Sequence, residues 1–342
     1  MKKRILTCIL TATLLLLTGC QSSEQPSSPS DAAPDQKELT KLTLNEVAHS
    51  IFYAPMYVAI EKDYFEEEGI KLDLVTGFGA DKTMTAVLSG EADIGFMGSE
   101  SSIYTYNEGA SDFVVNFAQL TQRAGNFLVS REEMPDFQWT DLKGCTVLGG
   151  RKGGMPEMVF EYILKQNGMD PHSDLTIVQN IDFGSTAAAF SEGQADYTVE
   201  FEPGATSLET EGKGHVVASL GTESGYVPYT AFSARKSYLE KHPDIIQGFV
   251  NALQKGMDYV QAHTPQEISD VIWPQFPETD LATLTTIVSR YYEQDSWKDT
   301  LIFEQNSFEL LQDILESSGE LTSRAPYKKL VTTKFAKKAA KH

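Results

Sequence analysis

The sequence predicts an α/β protein built as two similar lobes, and two observations carry that reading. The first is the opening unit. A short strand leads through an aromatic loop, His49 to Ala54, into a helix that opens on Pro55. Proline suits the first helical position, because its missing N–H would have no intrahelical acceptor there. Met56, Ala59, Ile60 and Tyr64 recur at helical spacing, with Glu61, Lys62 and Asp63 on another face. Gly69 caps the helical segment, and residues 70–74 alternate as a strand. The second observation is a repeat. Residues 86–93 resemble residues 188–196 with one insertion: each stretch ends a helix at Gly90 or Gly193, then enters a strand through Ala92-Asp93 or Ala195-Asp196. Polar turns follow both strands, Gly98-Ser99-Glu100 in one case and residues 200–204 in the other. Polar groups at matching strand ends imply a cleft between the lobes, since ligands of open α/β sheets bind at the carboxyl ends of strands.

The amino terminus carries a different signal. Met1-Lys2-Lys3-Arg4 is basic, residues 5–17 are a short apolar run, and Leu17-Thr18-Gly19-Cys20 follows. The run fits a secretory signal peptide, residues 1–19, and is too short to span a membrane. The tetrapeptide resembles the lipobox of bacterial lipoproteins. That resemblance implies cleavage before Cys20, lipid on its sulfur, and residence at the cell membrane on the extracytoplasmic face. Residues 20–40 are mostly Ser, Pro, Gln, Asp and Ala, too polar to order themselves, and read as a flexible tether.

About three hundred residues remain, enough for two medium domains of roughly 100–200 residues each. With Cys8 in the signal and Cys20 lipidated, Cys145 stands alone, so no disulfide and no zinc cluster is expected. The chain holds 28 basic against 48 acidic residues, a net charge of −20. Such acidity disfavours nucleic acid and polybasic membrane binding.

Further elements follow in order. Residues 81–89 read as a helix ended by Gly90, 92–96 as a strand, and a helix starts beyond Ser99 as N-cap. Phe113, Val115 and Phe117 alternate in a strand, 126–130 form another, and 132–141 are loop-like. A second series begins with a strand at 146–148, the glycine-rich stretch 149–154, and a helix from Met155 capped by Gly168. Strands at 175–178 and 196–201 flank a short helix through Phe190. Residues 229–234 return as a strand. One long amphipathic helix is expected over 237–263, with helices near 266–273, 280–292 and 303–317. The basic end, 328–342, is expected to start packed and finish frayed.

Tyr53-Ala54-Pro55 with Ala59, Tyr64-Phe65 with Gly69-Ile70, and the run from Ala86 through Asp93 to Gly95 together resemble the substrate-binding proteins of ABC importers for nitrate, sulfonates, taurine and thiamine-pyrimidine precursors. The similarity covers residues 42–317. It implies a two-lobed periplasmic-binding-protein fold of type II, each lobe a β-sheet flanked by helices, with two hinge crossings. Lobe 1 would take residues 41–130 and 229–342, lobe 2 residues 131–228. It also implies no catalysis and delivery of a captured small molecule to a permease and its ATPase; a monomer without a cofactor is the default expectation.

Carried over residue by residue, the family's pocket gives candidates on both walls. His49, Ser50, Phe52 and Tyr53 come from the first loop. Gly98 and Ser99, and Gly153, Gly154 and Met155, lie at two helix N-termini, which favour anions or carbonyls. Gln122 and Arg123 end the third strand series, while Asp182, Phe183, Glu202, Tyr226 and Tyr229 complete the far wall. Plainer roles compete: Phe52 and Phe183 as core, His49 as a hydrogen-bonding histidine, Asp182 as a helix cap. A pocket needs few placed polar groups, so about half of these are expected to touch ligand.

Arg123 or Arg151 and the helix N-termini suit a sulfonate or nitrate. Glu200, Glu202 and Asp182 would repel an anion and suit a ring amine, with aromatic residues stacking on a flat ring. The reading is therefore a heteroaromatic amine of the pyrimidine type, with a small sulfonate, taurine or nitrate as alternative, or a non-transport surface receptor. The reading needs only one of Glu200 and Glu202 to face the cleft. Enzyme signatures are missing: residues 149–154 lack the spacing of a phosphate loop, and neither G-x-S-x-G nor H-E-x-x-H occurs.

Overall fold

Among the described residues of the computed structural model, 38–181 and 184–341, ten strands assemble into two five-stranded sheets. The expected signal peptide, Cys20, nearly all of the tether, Asp182 and Phe183 lie outside the described residues. The first sheet contains β1 (Thr40–Glu46), β2 (Ile70–Thr76), β3 (Ile94–Gly98), β4 (Val114–Gln119) and β10 (Thr230–Arg235), in the order β2-β1-β3-β10-β4. The second contains β5 (Asn126–Ser130), β6 (Thr146–Leu148), β7 (Thr176–Val178), β8 (Tyr197–Phe201) and β9 (His215–Ser219), in the order β7-β6-β8-β5-β9.

The two orders are the same pattern. β1 lies parallel to β2 and β3 as β6 lies parallel to β7 and β8. The fourth strand of each sheet is antiparallel to both neighbours, and in each case it is the strand that has just crossed from the other sheet. β5 therefore belongs to the second sheet. Residues 126–130, expected in the first lobe, pair with β8 and β9, which moves the first crossing upstream to residues 120–125.

The sequence repeat has a structural job in both lobes. Asp93 Oδ2 accepts the Thr43 N–H at 2.9 Å, tying the entry of β3 to β1, and the Asp93 N–H donates to the Thr43 carbonyl. Asp196 Oδ2 accepts the Thr146 N–H at 2.8 Å, tying β8 to β6 in the same way. One aspartate thus closes the start of a parallel pair, where the ladder would otherwise leave a donor open.

Several elements depart from expectation. The helix expected over 237–263 breaks at His242, giving Lys236–Lys241 and Pro243–Ala262, because Pro243 has no N–H to continue the ladder. The longer piece buries Ile246, Phe249, Leu253, Met257 and Val260, and it lies so close to the helix Ala54–Glu61 that a side chain at Gly256 would overlap the Pro55 carbonyl. Strand β9 and the helices Gly204–Thr210 and Leu220–Ser224 were not anticipated. The carboxyl end is packed rather than frayed: Phe335, Ala336 and Ala339 are buried, and Val331 pairs with Asn116, covering the edge of β4. Ser99 does not cap its helix through its hydroxyl, which donates instead to the Pro228 carbonyl at 2.5 Å.

Candidate functional site

A cavity of about 460 Å³ opens between the sheets, walled by the carboxyl ends of parallel strands and the helices that leave them. From the first lobe come Val47, Tyr53, Gly98, Glu100 and Tyr104, together with the helix Ala80–Ser89 through Met84, Thr85 and Leu88. The second lobe contributes residues 151–156 and Phe201. Tyr229 and Thr230, at the return crossing, close the back. Apolar and aromatic side chains alternate there with polar ones, including Asp81, Glu100, Glu108, Arg151 and Lys152.

Of the residues expected here, Tyr53, Gly98, Gly153, Gly154, Met155 and Tyr229 line the cavity. Burial raises the phenol of Tyr53 far above its ordinary range, and its ring meets Phe96 edge-on at 4.5 Å. Tyr229 donates to Asn126 Oδ1 at 2.5 Å, so its ring is held from behind. The Gly153 peptide is pinned on two sides. Tyr104, from the opposite lobe, donates to its carbonyl at 2.9 Å, and Glu157 accepts its N–H at 3.2 Å. Asp81 and Arg151 form a second cross-cleft contact at 3.2 Å, both half exposed. Lys152 pairs with Glu320 at 3.7 Å. Both basic residues of the cleft are therefore met by carboxylates.

The other candidates face elsewhere. Gln122 spends its amide on the Asp295 and Trp297 carbonyls, and its backbone bonds to Ser296 and Val227. It fastens the crossing segments. Arg123 donates to the Gly221 carbonyl and stacks at 4.3 Å over Tyr226, whose hydroxyl donates to Asp295 at 2.6 Å. Phe52 is wholly buried among Tyr53, Phe201, Tyr229 and Tyr291. Ser50 caps the 3-10 turn Ile51–Tyr53 by accepting from Phe52 N. Glu202 is fully buried on Arg290 and Thr206, and Glu200 is buried on Thr198. Neither carboxylate lines the cleft; Phe201, between them in β8, does.

His49 also turns away, and its role is structural. Nδ1 lies 2.8 Å from Glu46 Oε1 and Nε2 lies 2.8 Å from the Gln275 carbonyl. Tyr57 donates to the other oxygen of the buried Glu46 at 2.6 Å. Both imidazole nitrogens thus face acceptors, which favours the doubly protonated ring. Burial alone would lower its pKa, but the hydrogen bonds to Glu46 and Gln275 and the Glu46 charge raise it above the ordinary histidine value. The stabilisation is then complete below the unfolded pKa and disappears as pH rises through the folded pKa. The difference in unfolding free energy between wild type and His49→Gln should accordingly shrink as pH rises above the ordinary histidine value. Urea titrations at several pH values measure it, and a pH-independent difference would refute the imidazolium bridge.

Sequence reasoning missed Glu100. It is 3% exposed and lines the cavity from the first turn of the helix Glu100–Asn107. Burial raises its pKa to about 8, moderated by its own amide and that of Met155 across the cleft. A side chain at Gly98 would overlap this carboxyl group, so the glycine makes its seat. The signal was present in the Gly98-Ser99-Glu100 turn, where the carboxylate follows the two residues singled out.

A family model described as NMT1/THI5 like matches residues 51–268. The putative binding protein YtlA of Bacillus subtilis is 48% identical over 307 residues, covering 90% of this chain and 92% of that protein. The riboflavin-binding protein RibY of Chloroflexus aurantiacus is 25% identical over 337 residues, covering 95% and 91%. Among solved structures, the alkanesulfonate-binding protein SsuA of Xanthomonas axonopodis pv. citri, bound to MOPS, superposes with a TM-score of 0.70 at 16% identity, over 86% of this chain and 99% of that one. The two-sheet architecture is the periplasmic-binding-protein fold.

Proposed function

Because the chain belongs to the NMT1/THI5-like family, we propose that it is an extracytoplasmic solute-binding protein that captures a small molecule between its lobes and delivers it to an ABC importer. The observation that carries this reading is the cavity of about 460 Å³ at the carboxyl ends of both sheets, bridged by Asp81–Arg151 and Tyr104–Gly153. Contacts of that kind form and break when two lobes close on a ligand. The lobes divide at the crossings, residues 120–125 and 220–229, and Cys20 is the lipid attachment point. Held to the membrane by that lipid, the protein acts as a monomer; no helix among the described residues is long and apolar enough to cross a membrane. No catalytic step is assigned to the cleft.

The ligand of this proposal is a flat nitrogen heterocycle. Support comes from the aromatic walls, and from the riboflavin named for one relative, which has such a ring. A thiamine-pyrimidine precursor belongs to the same class. A sulfonate or nitrate is the competing reading, resting on the helix N-terminus at Met155. A thermal-shift panel of pyrimidines, flavins, sulfonates, nitrate and amino acids tests both, since a ligand of the folded state raises the melting temperature by mass action. A shift with a pyrimidine or flavin is the expected result. Shifts confined to sulfonates or nitrate would replace the heterocycle with an anion.

A further inference from the structure

We propose that Glu100 is the specificity-determining residue of the cleft: its carboxyl group pairs with an N–H of the ligand, selecting amino- or imide-bearing heterocycles against small anions. The inference rests on the reading of the cleft as a binding site. Glu100 Oε2 is buried without a hydrogen-bond partner among the described residues, while the residue lines the cavity. A buried acceptor left unpaired costs free energy that a ligand donor would recover. Nearby basic groups do not supply that donor. Arg151 is paired with Asp81, and Lys152 with Glu320.

The same geometry disfavours an anion. An anion entering here needs an open helix N-terminus or a free cation. The Met155 amide, at the start of the helix Met155–Gln166, is already faced by the Glu100 carboxyl group. An incoming sulfonate would have to displace a carboxyl from the protein's own wall. Burial favours the protonated form of that carboxyl, which both donates and accepts. Such a group matches a ring edge that presents an N–H beside a carbonyl or ring nitrogen. Tyr53, Met84, Leu88 and Phe201 supply apolar surface for the ring itself.

Isothermal titration of the full chain with 4-amino-5-hydroxymethyl-2-methylpyrimidine, riboflavin and taurine tests the assignment. At least one of the two heterocycles should bind and taurine should not. Glu100→Leu, which removes both donor and acceptor, should weaken the bound heterocycle at least tenfold without lowering the melting temperature of the free protein, and Glu100→Gln, which keeps an acceptor and a donor, should weaken it less. Thr85→Trp, at an exposed position lining the cavity, is the control because it fills the cleft without touching the protein core. If Thr85→Trp abolishes binding and both Glu100 variants bind like wild type, the cleft reading stands and the role of Glu100 is overturned. If a probe binds wild type and Thr85→Trp equally, the cleft itself is the wrong site. Binding of taurine with neither heterocycle would overturn the selectivity.

Discussion

Replacing Arg290 with Met is expected to destabilise the protein by about 3–5 kcal/mol, the range for stranding one partner of a buried ion pair. Glu202 is fully buried and directly follows β8. Its Oε1 accepts from Arg290 at 2.7 Å and from the Thr206 hydroxyl at 2.9 Å, and its Oε2 accepts the Thr206 N–H at 2.9 Å. The second arm of Arg290 reaches Glu209 at 2.6 Å. The guanidinium is thus a fork across two carboxylates, only one of which is in reach of water. Without it Glu202 stays desolvated with neutral donors alone. Arg290→Lys should recover part of the loss, because a point charge serves one carboxylate and not both. The double variant Arg290→Met, Glu202→Gln should be more stable than Arg290→Met. Urea unfolding of the three variants measures these differences, and a loss below about 1 kcal/mol for Arg290→Met would show that the pair behaves as a surface contact.

Phe52→Ala is the second large effect, expected at about 3–5 kcal/mol for deleting a buried aromatic ring. Phe52 is wholly buried, with the rings of Tyr291 at 5.0 Å, Tyr53 at 5.4 Å and Tyr229 at 5.8 Å. Its carbonyl accepts the Trp297 indole N–H at 2.8 Å. Gly125, in the first crossing, lies flat against the ring, where a Cβ would approach to 2.7 Å. Tyr291 meanwhile donates to the Gly125 carbonyl at 3.0 Å. One ring therefore joins the first loop, the first crossing and the helix Leu281–Glu293. The cavity left by alanine cannot collapse easily when three elements hold its walls. Phe52→Leu should retain more than half of the stability lost by alanine. Denaturant midpoints with unchanged slopes would read both values, and a cost near zero for Phe52→Ala would mean that the ring is not part of the core.

The opening strand, loop and helix, the Ala-Asp repeat and the alternation of β and α were legible because local patterning sets them. Gly90 and Gly193 stop helices, and Asp93 and Asp196 do the same job fifty residues from their partners in both lobes. The family was legible for the same reason, since its motifs are short and local. Site membership was legible only in part: Tyr53, Gly98, Gly153, Gly154, Met155 and Tyr229 line the cavity, and other candidates do not. His49, Phe52 and Gln122 sit in loops at strand ends, where ligand contacts are expected, but their surroundings come from residues 273–297, far away in sequence. Gln275 takes the imidazole of His49, Tyr291 and Trp297 close over Phe52, and Asp295 takes the amide of Gln122.

Glu200, Phe201 and Glu202 make the same point where one strand ends. Alternation placed the carboxylates on the opposite side from Phe201, and only the register of β8 against β5 and β6 decided which side meets the cleft. The sequence by itself determined the fold class, the repeat and the two glycine-rich helix starts, because backbone conformation and helical or strand periodicity are properties of neighbouring residues. The tertiary structure alone decided which polar groups are spent on the protein and which remain for a ligand. A hydrogen bond is satisfied by whatever donor or acceptor packing brings within reach, however distant in the chain, and Glu100 stands out because its partnerless Oε2 belongs to a residue that lines the cleft.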